Sequence, residues 1–256
     1  MSQLLLNVQK VSKRFGGLQA LSDVHLSIEE GQIIGLIGPN GAGKTTFFNV
    51  ITGLYQADAG DFQFAGKSFN PKAVDQVVAA GIARTFQNIR LFGNMTVLEN
   101  VMVGRHCRTS SGLFGAVFQT KHTQREEAET KDRAMSLLAY VGIEKYADFT
   151  AKNLSYGHQR RLEIARALAT EPKLLALDEP AAGMNATEKI ELKQLLEKIR
   201  QDGTTLLLIE HDVKLVMGLC DEITVLDYGR VIASGKPEEV RRHPAVIEAY
   251  LGASAV

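Results

Sequence analysis

Ile33-Ile34-Gly35-Leu36-Ile37 runs directly into Gly38-Pro39-Asn40-Gly41-Ala42-Gly43-Lys44-Thr45-Thr46. The first five residues are apolar without alternation, the mark of a strand buried on both faces. The nine that follow satisfy G-x-x-x-x-G-K-[ST], in which glycines let the backbone curl until successive N–H groups point at phosphate oxygens. Lys44 is then placed to reach the β- and γ-phosphates, and Thr45 to offer its hydroxyl to Mg²⁺. A helix starting near Lys44 presents its N–H groups and positive end to the same anion. Strand, loop and helix in this order predict an α/β fold with a phosphate site built from Gly38 to Thr46.

Three more runs share the character of the first: Leu174-Leu175-Ala176-Leu177, Leu206-Leu207-Leu208-Ile209 and Ile223-Thr224-Val225-Leu226. Together they predict a parallel sheet covered by helices. Between the second and third runs, Leu192, Leu195, Leu196 and Ile199 fall at i, i+3, i+4, i+7 within Thr187 to Arg200, an amphipathic crossover helix. Nearer the start, Val8, Val11, Val24, Leu26, Ile28, Phe62 and Phe64 sit in short, partly alternating segments broken by Gly and Asp. They predict a flanking antiparallel β-subdomain. About 88–166 reads as a helical insert within a single domain of 1–256. In it Thr123 to Tyr140 is rich in Glu, Lys, Arg and Ala, with Ala134, Leu137, Leu138 and Val141 on one face. The charged run Arg125 to Arg133 is expected as a solvated helix face, and Cys107 to Gly115 as a flexible segment.

Leu174 to Leu177 ends in Asp178-Glu179. In P-loop enzymes an Asp at the end of a neighbouring strand holds Mg²⁺, and the adjacent Glu179 is then positioned to polarise water for attack on the γ-phosphate. Taken alone, two acids at a strand end are better explained as caps. The phosphate loop beside them tips the reading to chemistry.

Composition removes other classes. The 256 residues carry 29 Lys+Arg against 29 Asp+Glu, so no global charge draws the chain to phosphate backbones or anionic lipid. The nearest candidates for a basic patch, Arg160-Arg161 and Arg241-Arg242, are expected on solvated helix faces, and no nucleic-acid partner is expected. Cys107 and Cys220 lack any C-x-x-C spacing, which argues against a disulfide framework or zinc site and fits a reducing compartment. The opening residues lack a signal peptide's basic start and apolar core. No apolar run approaches the roughly 18 residues of a membrane span, so a membrane role is expected to come through a partner.

Asn153-Leu154-Ser155-Tyr156-Gly157-His158-Gln159-Arg160-Arg161, a little before the acidic strand, resembles the LSGGQ signature of the nucleotide-binding subunits of ABC transporters. The resemblance covers essentially the whole chain. It implies that Phe15 stacks on adenine, that Gln87 is the glutamine-loop residue, that Ala182-Gly183-Met184-Asn185 is the D-loop, and that His211 is the switch histidine. It also explains a second anion site: two subunits pack head to tail, so that Ser155 and Gly157 meet the γ-phosphate held by the partner's phosphate loop. Tyr156, His158 and Asn185 depart from the family pattern of Gly, Gln and Asp. The segments Ile82 to Phe92, Glu179 to Asn185 and Val246 to Gly252 are similar to the LivG-type ATPases of bacterial branched-chain amino-acid importers.

That resemblance implies ATP and Mg²⁺ as cofactors, with Thr45, Gln87 and Asp178 around the metal and Glu179 and His211 organising hydrolysis. It implies two membrane permeases, a second similar ATPase or a second copy of this chain, and, indirectly, a periplasmic binding protein as partners, at the cytoplasmic face of the inner membrane. Other readings stay open: the same cassette serving another cargo, such as urea transport or lipopolysaccharide export, a soluble cassette working on DNA or ribosomes, and a nucleotide-sensing module without turnover.

Overall fold

The computed structural model describes residues 3–70, 73–108 and 121–252. They divide into two compact units, 1–84 with 173–256 and 85–172.

In the first unit, β1 (Leu4–Phe15) and β2 (Leu18–Glu29) form a long antiparallel pair. The chain then enters β3 (Ile33–Ile37), buried at every residue, and leaves it through the phosphate loop into α1 (Lys44–Ile51). Next come β4 (Ala59–Phe64), β5 (Lys67–Ser68), α2 (Val74–Ala80) and β6 (Ile82–Arg84). Strands β2-β1-β4-β5 make one sheet, in which Val8, Val11, Val24, Leu26, Ile28, Phe62 and Phe64 all point into the core. This is the antiparallel sheet the alternation predicts, but it is not a core apart. Val8 and Val24 belong to the same hydrophobic cluster as Leu36, Phe47 and Leu207, so the sheet is one layer over a shared interior.

The second unit holds α3 (Val97–Arg105), α4 (Lys121–Val141) and α5 (Tyr156–Leu168), packed on one another. On α4 the expected face of Ala134, Leu137, Leu138 and Val141 is buried. Its run from Arg125 to Arg133 is largely exposed, with Thr130 buried. Thr96 caps α3 in a reciprocal pair with Glu99, and buried Asn100 holds the turn before it by bonds to Phe92 and Thr96. Within the segment from Cys107 to Gly115, residues 109–115 lie outside the described residues.

The chain returns to the first unit with β7 (Leu174–Asp178), α6 (Ala186–Gln201), β8 (Thr205–Ile209), α7 (Val213–Leu219), β9 (Glu222–Asp227), β10 (Arg230–Gly235), α8 (Pro237–Arg241) and α9 (Pro244–Gly252). The main sheet runs β10-β9-β3-β8-β7-β6. Strands β9, β3, β8, β7 and β6 are parallel, and β10 closes one edge antiparallel. Helix α6 buries Leu192, Leu195, Leu196 and Ile199, each worth about 2 kcal/mol. Cys220, which ends α7, is buried, and burial pushes its thiol up to about 12. Cys107 is exposed.

Two features depart from the sequence reading. The three-residue strand β6 is too short to show a period, and it is recruited by pairing with β7. Arg160 is not on a solvated face: it is fully buried, at 0% exposure, against the carbonyls of Phe86 and Gln87 and beside the equally buried Glu163.

Candidate functional site

The strand order places β3, β8 and β7 side by side and parallel. Their carboxyl ends therefore lie along one edge, and each delivers one part of the site: the phosphate loop after β3, His211 after β8, and Asp178-Glu179 at the end of β7.

Gly38 turns the chain off β3 so tightly that a Cβ there would run into the carbonyl of Leu226. At the other end of the loop Gly43 is the left-handed N-cap of α1, with φ of 100°, and no side chain caps the helix. The loop is pinned from outside by Gly229 N–H donating to the Ala42 carbonyl at 2.9 Å. Ala42 and Lys44 are buried, whereas Asn40, Gly41 and Thr45 are exposed at the rim, with Pro39, Gly43 and Thr46 partly so. The Lys44 ammonium donates to the carbonyls of Gly38 and Pro39 at 2.7 and 2.8 Å. Burial lowers its pKa, and the charges of Glu179 and Asp178 act against that. One buried cation thus sits in the field of both carboxylates, behind an uncapped helix end. That arrangement is a cradle for a polyphosphate.

Asp178 is buried and faces Arg84 at 3.7 Å. Arg84 also donates to Asn49 and Thr52 and lies over the Phe48 ring, so it fixes the carboxylate from the β6 side. Glu179 Oε1 stands 2.8 Å from His211 Nε2. Its backbone is left-handed, φ 47°, a conformation that costs a non-glycine residue roughly 1 kcal/mol or more. The Glu179 N–H bonded to the Ile209 carbonyl at 2.9 Å helps hold it there.

Glu210, between β8 and His211, accepts from the N–H groups of Ala181, His211 and Asp212. Burial raises its pKa against the pull of those amides. It thereby ties the segment after Glu179 to the histidine. Asn185 does not lose by replacing Asp, because it caps α6 and forms a reciprocal pair with Glu188.

Phe15 at the end of β1 is 42% exposed rather than a core residue. Tyr55 meets its edge at 5.2 Å and Lys13 approaches its face at 5.4 Å. Tyr250 of α9 forms a hydrogen bond with the backbone of Gly38, linking the C-terminal helix to the phosphate loop.

In the second unit Gln87 and Ser155 are exposed and Gly157 is buried. Ser155 caps α5 by accepting from His158 N–H at 3.4 Å. His158 packs on the Tyr146 ring at 4.7 Å. Arg84, Glu210, Arg160 and Glu163 escape sequence reasoning, since the burial of each depends on a distant strand or loop. An Arg and Glu three apart among Leu162, Ile164 and Ala165 was the one available signal.

A parallel sheet whose first strand opens onto a phosphate loop, with a carboxylate pair and a histidine at the ends of the next strands, defines a P-loop nucleotide hydrolase. The ABC transporter family model matches residues 21–182, and the model of the branched-chain amino acid ATP-binding cassette transporter matches residues 230–256. The chain belongs to the ABC transporter family. It is 47% identical over 253 residues to the high-affinity branched-chain amino acid transport ATP-binding protein LivG of Salmonella typhimurium, covering 98% of this chain and 99% of that one. The crystal structure of an ATP-binding cassette of an ABC transporter in its ADP conformation superposes with a TM-score of 0.86, at 34% identity, over 98% of this chain and 100% of that chain. A dimeric cassette bound to ADP and Pi superposes with a TM-score of 0.77, at 27% identity, over 91% and 99%.

Proposed function

We propose that this chain is the ATP-hydrolysing subunit of an ABC importer for branched-chain amino acids. The observation that carries the hydrolytic part is the contact between Glu179 and His211 beside the buried Lys44 and Asp178. The relationship to LivG supports the cargo.

Phe15 offers its exposed face to the adenine, and Gly38, Pro39, Asn40, Gly41, Ala42, Gly43, Lys44, Thr45 and Thr46 surround the phosphates. A hard cation suits the oxygen donors Thr45 and Asp178, with Gln87 as the third ligand. The remaining ligands would come from phosphate and water, as a hard cation of this kind prefers. Magnesium, when bound, supplies neutralisation of the β- and γ-phosphate charge. Glu179 orients and deprotonates the attacking water, and His211 holds Glu179 in place and reaches the γ-phosphate. Ser155 and Gly157 complete the partner cassette's site in a head-to-tail dimer.

Among the described residues no helix is long and apolar enough to cross a membrane. By its relationship to LivG, the chain works on membrane permeases as a peripheral subunit at their cytoplasmic face, paired with a second cassette and served by a periplasmic binding protein.

Glu179→Gln should leave ATP binding intact and lower turnover roughly 10²–10⁴-fold, measured by calorimetry and phosphate release; unchanged turnover removes Glu179 from the base role. Affinity purification from native membranes tests the cargo. Two permeases and a second cassette from a branched-chain amino-acid operon are expected, whereas urea-transport or lipid-export subunits would overturn the cargo and ribosomes alone would overturn transport.

A further inference from the structure

Arg160 is the largest fully buried side chain among the described residues, and Glu163 is buried with it. Such a pair is a poor investment in stability alone, because desolvation offsets most of the Coulomb gain and apolar residues of like volume often serve as well. What it supplies here is direction. Arg160 Nη1 donates to the Phe86 carbonyl at 2.6 Å and to Glu163 at 2.7 Å. Its Nη2 donates to the Gln87 carbonyl at 2.9 Å and to the Tyr156 hydroxyl at 3.3 Å. Glu163 answers from the other side, accepting from the N–H groups of Phe86 and Arg90 at 3.2 and 3.4 Å. The guanidinium fork and the carboxylate thus hold both polar edges of the Phe86–Arg90 backbone. Through Tyr156, the residue that departs from LSGGQ, the same fork holds the first turn of α5, where Ser155 sits.

We propose that Arg160 and Glu163 are positioning residues that join the Gln87 backbone and the Ser155–Tyr156 turn into one body, so that a displacement at Gln87 is transmitted to Ser155. This rests on the reading above that Gln87 and Ser155 serve different nucleotides of a cassette pair, and it makes the two sites cooperative through a linkage internal to one chain.

The test uses Arg160→Lys, which keeps the charge and loses the bidentate fork, and Tyr156→Phe, which removes one hydroxyl from a partly exposed ring. Amide hydrogen exchange is followed on the purified full chain, ADP affinity by calorimetry, and ATP dependence of turnover in the assembled transporter. In Arg160→Lys, exchange at Phe86, Arg90 and His158 should rise together, about tenfold, while ADP affinity stays within about twofold, because the phosphate loop is untouched. The Hill coefficient of turnover should fall to about 1 in both variants, and Tyr156→Phe should leave exchange at Phe86 and Arg90 as in the wild type. Exchange rising at only one of the two segments, or wild-type cooperativity in both variants, overturns the proposal. So does loss of ADP binding in Arg160→Lys combined with wild-type behaviour of Tyr156→Phe, which would make the pair a fold determinant only. A wild-type protein without ATP turnover would defeat the importer reading, while the exchange experiment would still decide whether the two segments move as one.

Discussion

Among the described residues, the two helix N-termini that we propose as anion sites are built by opposite means. The start of α1 has no side-chain cap, and its loop is shaped by backbone: Gly38 against a carbonyl, Gly43 in the left-handed region, and Lys44 folded onto its own loop. The start of α5 is capped by its own serine and held by a buried ion pair reaching a separate loop. An uncapped end waits for its ligand with N–H groups already aimed. A capped end has its first donor satisfied and, on the proposed function, would exchange that bond for one to phosphate. The first end is prepared to bind, and the second to respond.

The sharpest way to break this comparison is to strip the response side of one charge. Arg160→Met leaves Glu163 buried without its partner and should cost about 3–5 kcal/mol in urea unfolding. Adding Glu163→Leu should return part of that loss, and a double variant as unstable as the single one would show that the backbone contacts matter more than the charge. On the binding side, Gly38→Ala should cost about 3 kcal/mol, from a Cβ with no room, seen as a drop of roughly 6–12 °C in Tm. Ser155→Ala removes a cap and should cost about 1 kcal/mol, far less than Gly38→Ala; equal losses would erase the distinction between the two ends.

The smallest effect concerns pH. Burial raises the Glu210 pKa, so the folded chain holds that proton more tightly than the unfolded one. Stability therefore falls as pH rises from the ordinary glutamate range through the raised value. Glu210→Gln should flatten that part of the profile in denaturant titrations at successive pH values, and an unchanged slope would show that the amides of Ala181, His211 and Asp212 already compensate the charge.

What the sequence makes legible follows the same division. The phosphate loop, the buried strands, the crossover helix and the Asp178-Glu179 end depend on local pattern, and the structure places the loop and the acidic end side by side at the carboxyl ends of the parallel strands. The response side depends on partners far apart in the chain. Arg160 beside Arg161 looks like any solvated basic pair, and it is Phe86 and Gln87, 74 and 73 residues earlier, that supply the carbonyls that bury it. Arg84 is equally silent, since its value lies in Asp178 on another strand. Asn185 is a milder case: read against the family it is a departure, and read as a cap it is a natural choice.

The two cysteines differ as much as the two helix ends do. Cys107 is exposed, while Cys220 is shut beneath the parallel sheet with its thiol pushed up to about 12. Thiol reagents consume the thiolate form, so the first equivalent reports surface and the second reports openings of the sheet. The chain thereby carries an internal clock for its own breathing, readable without a label, and a nucleotide that tightens the phosphate loop slows the second tick while leaving the first alone.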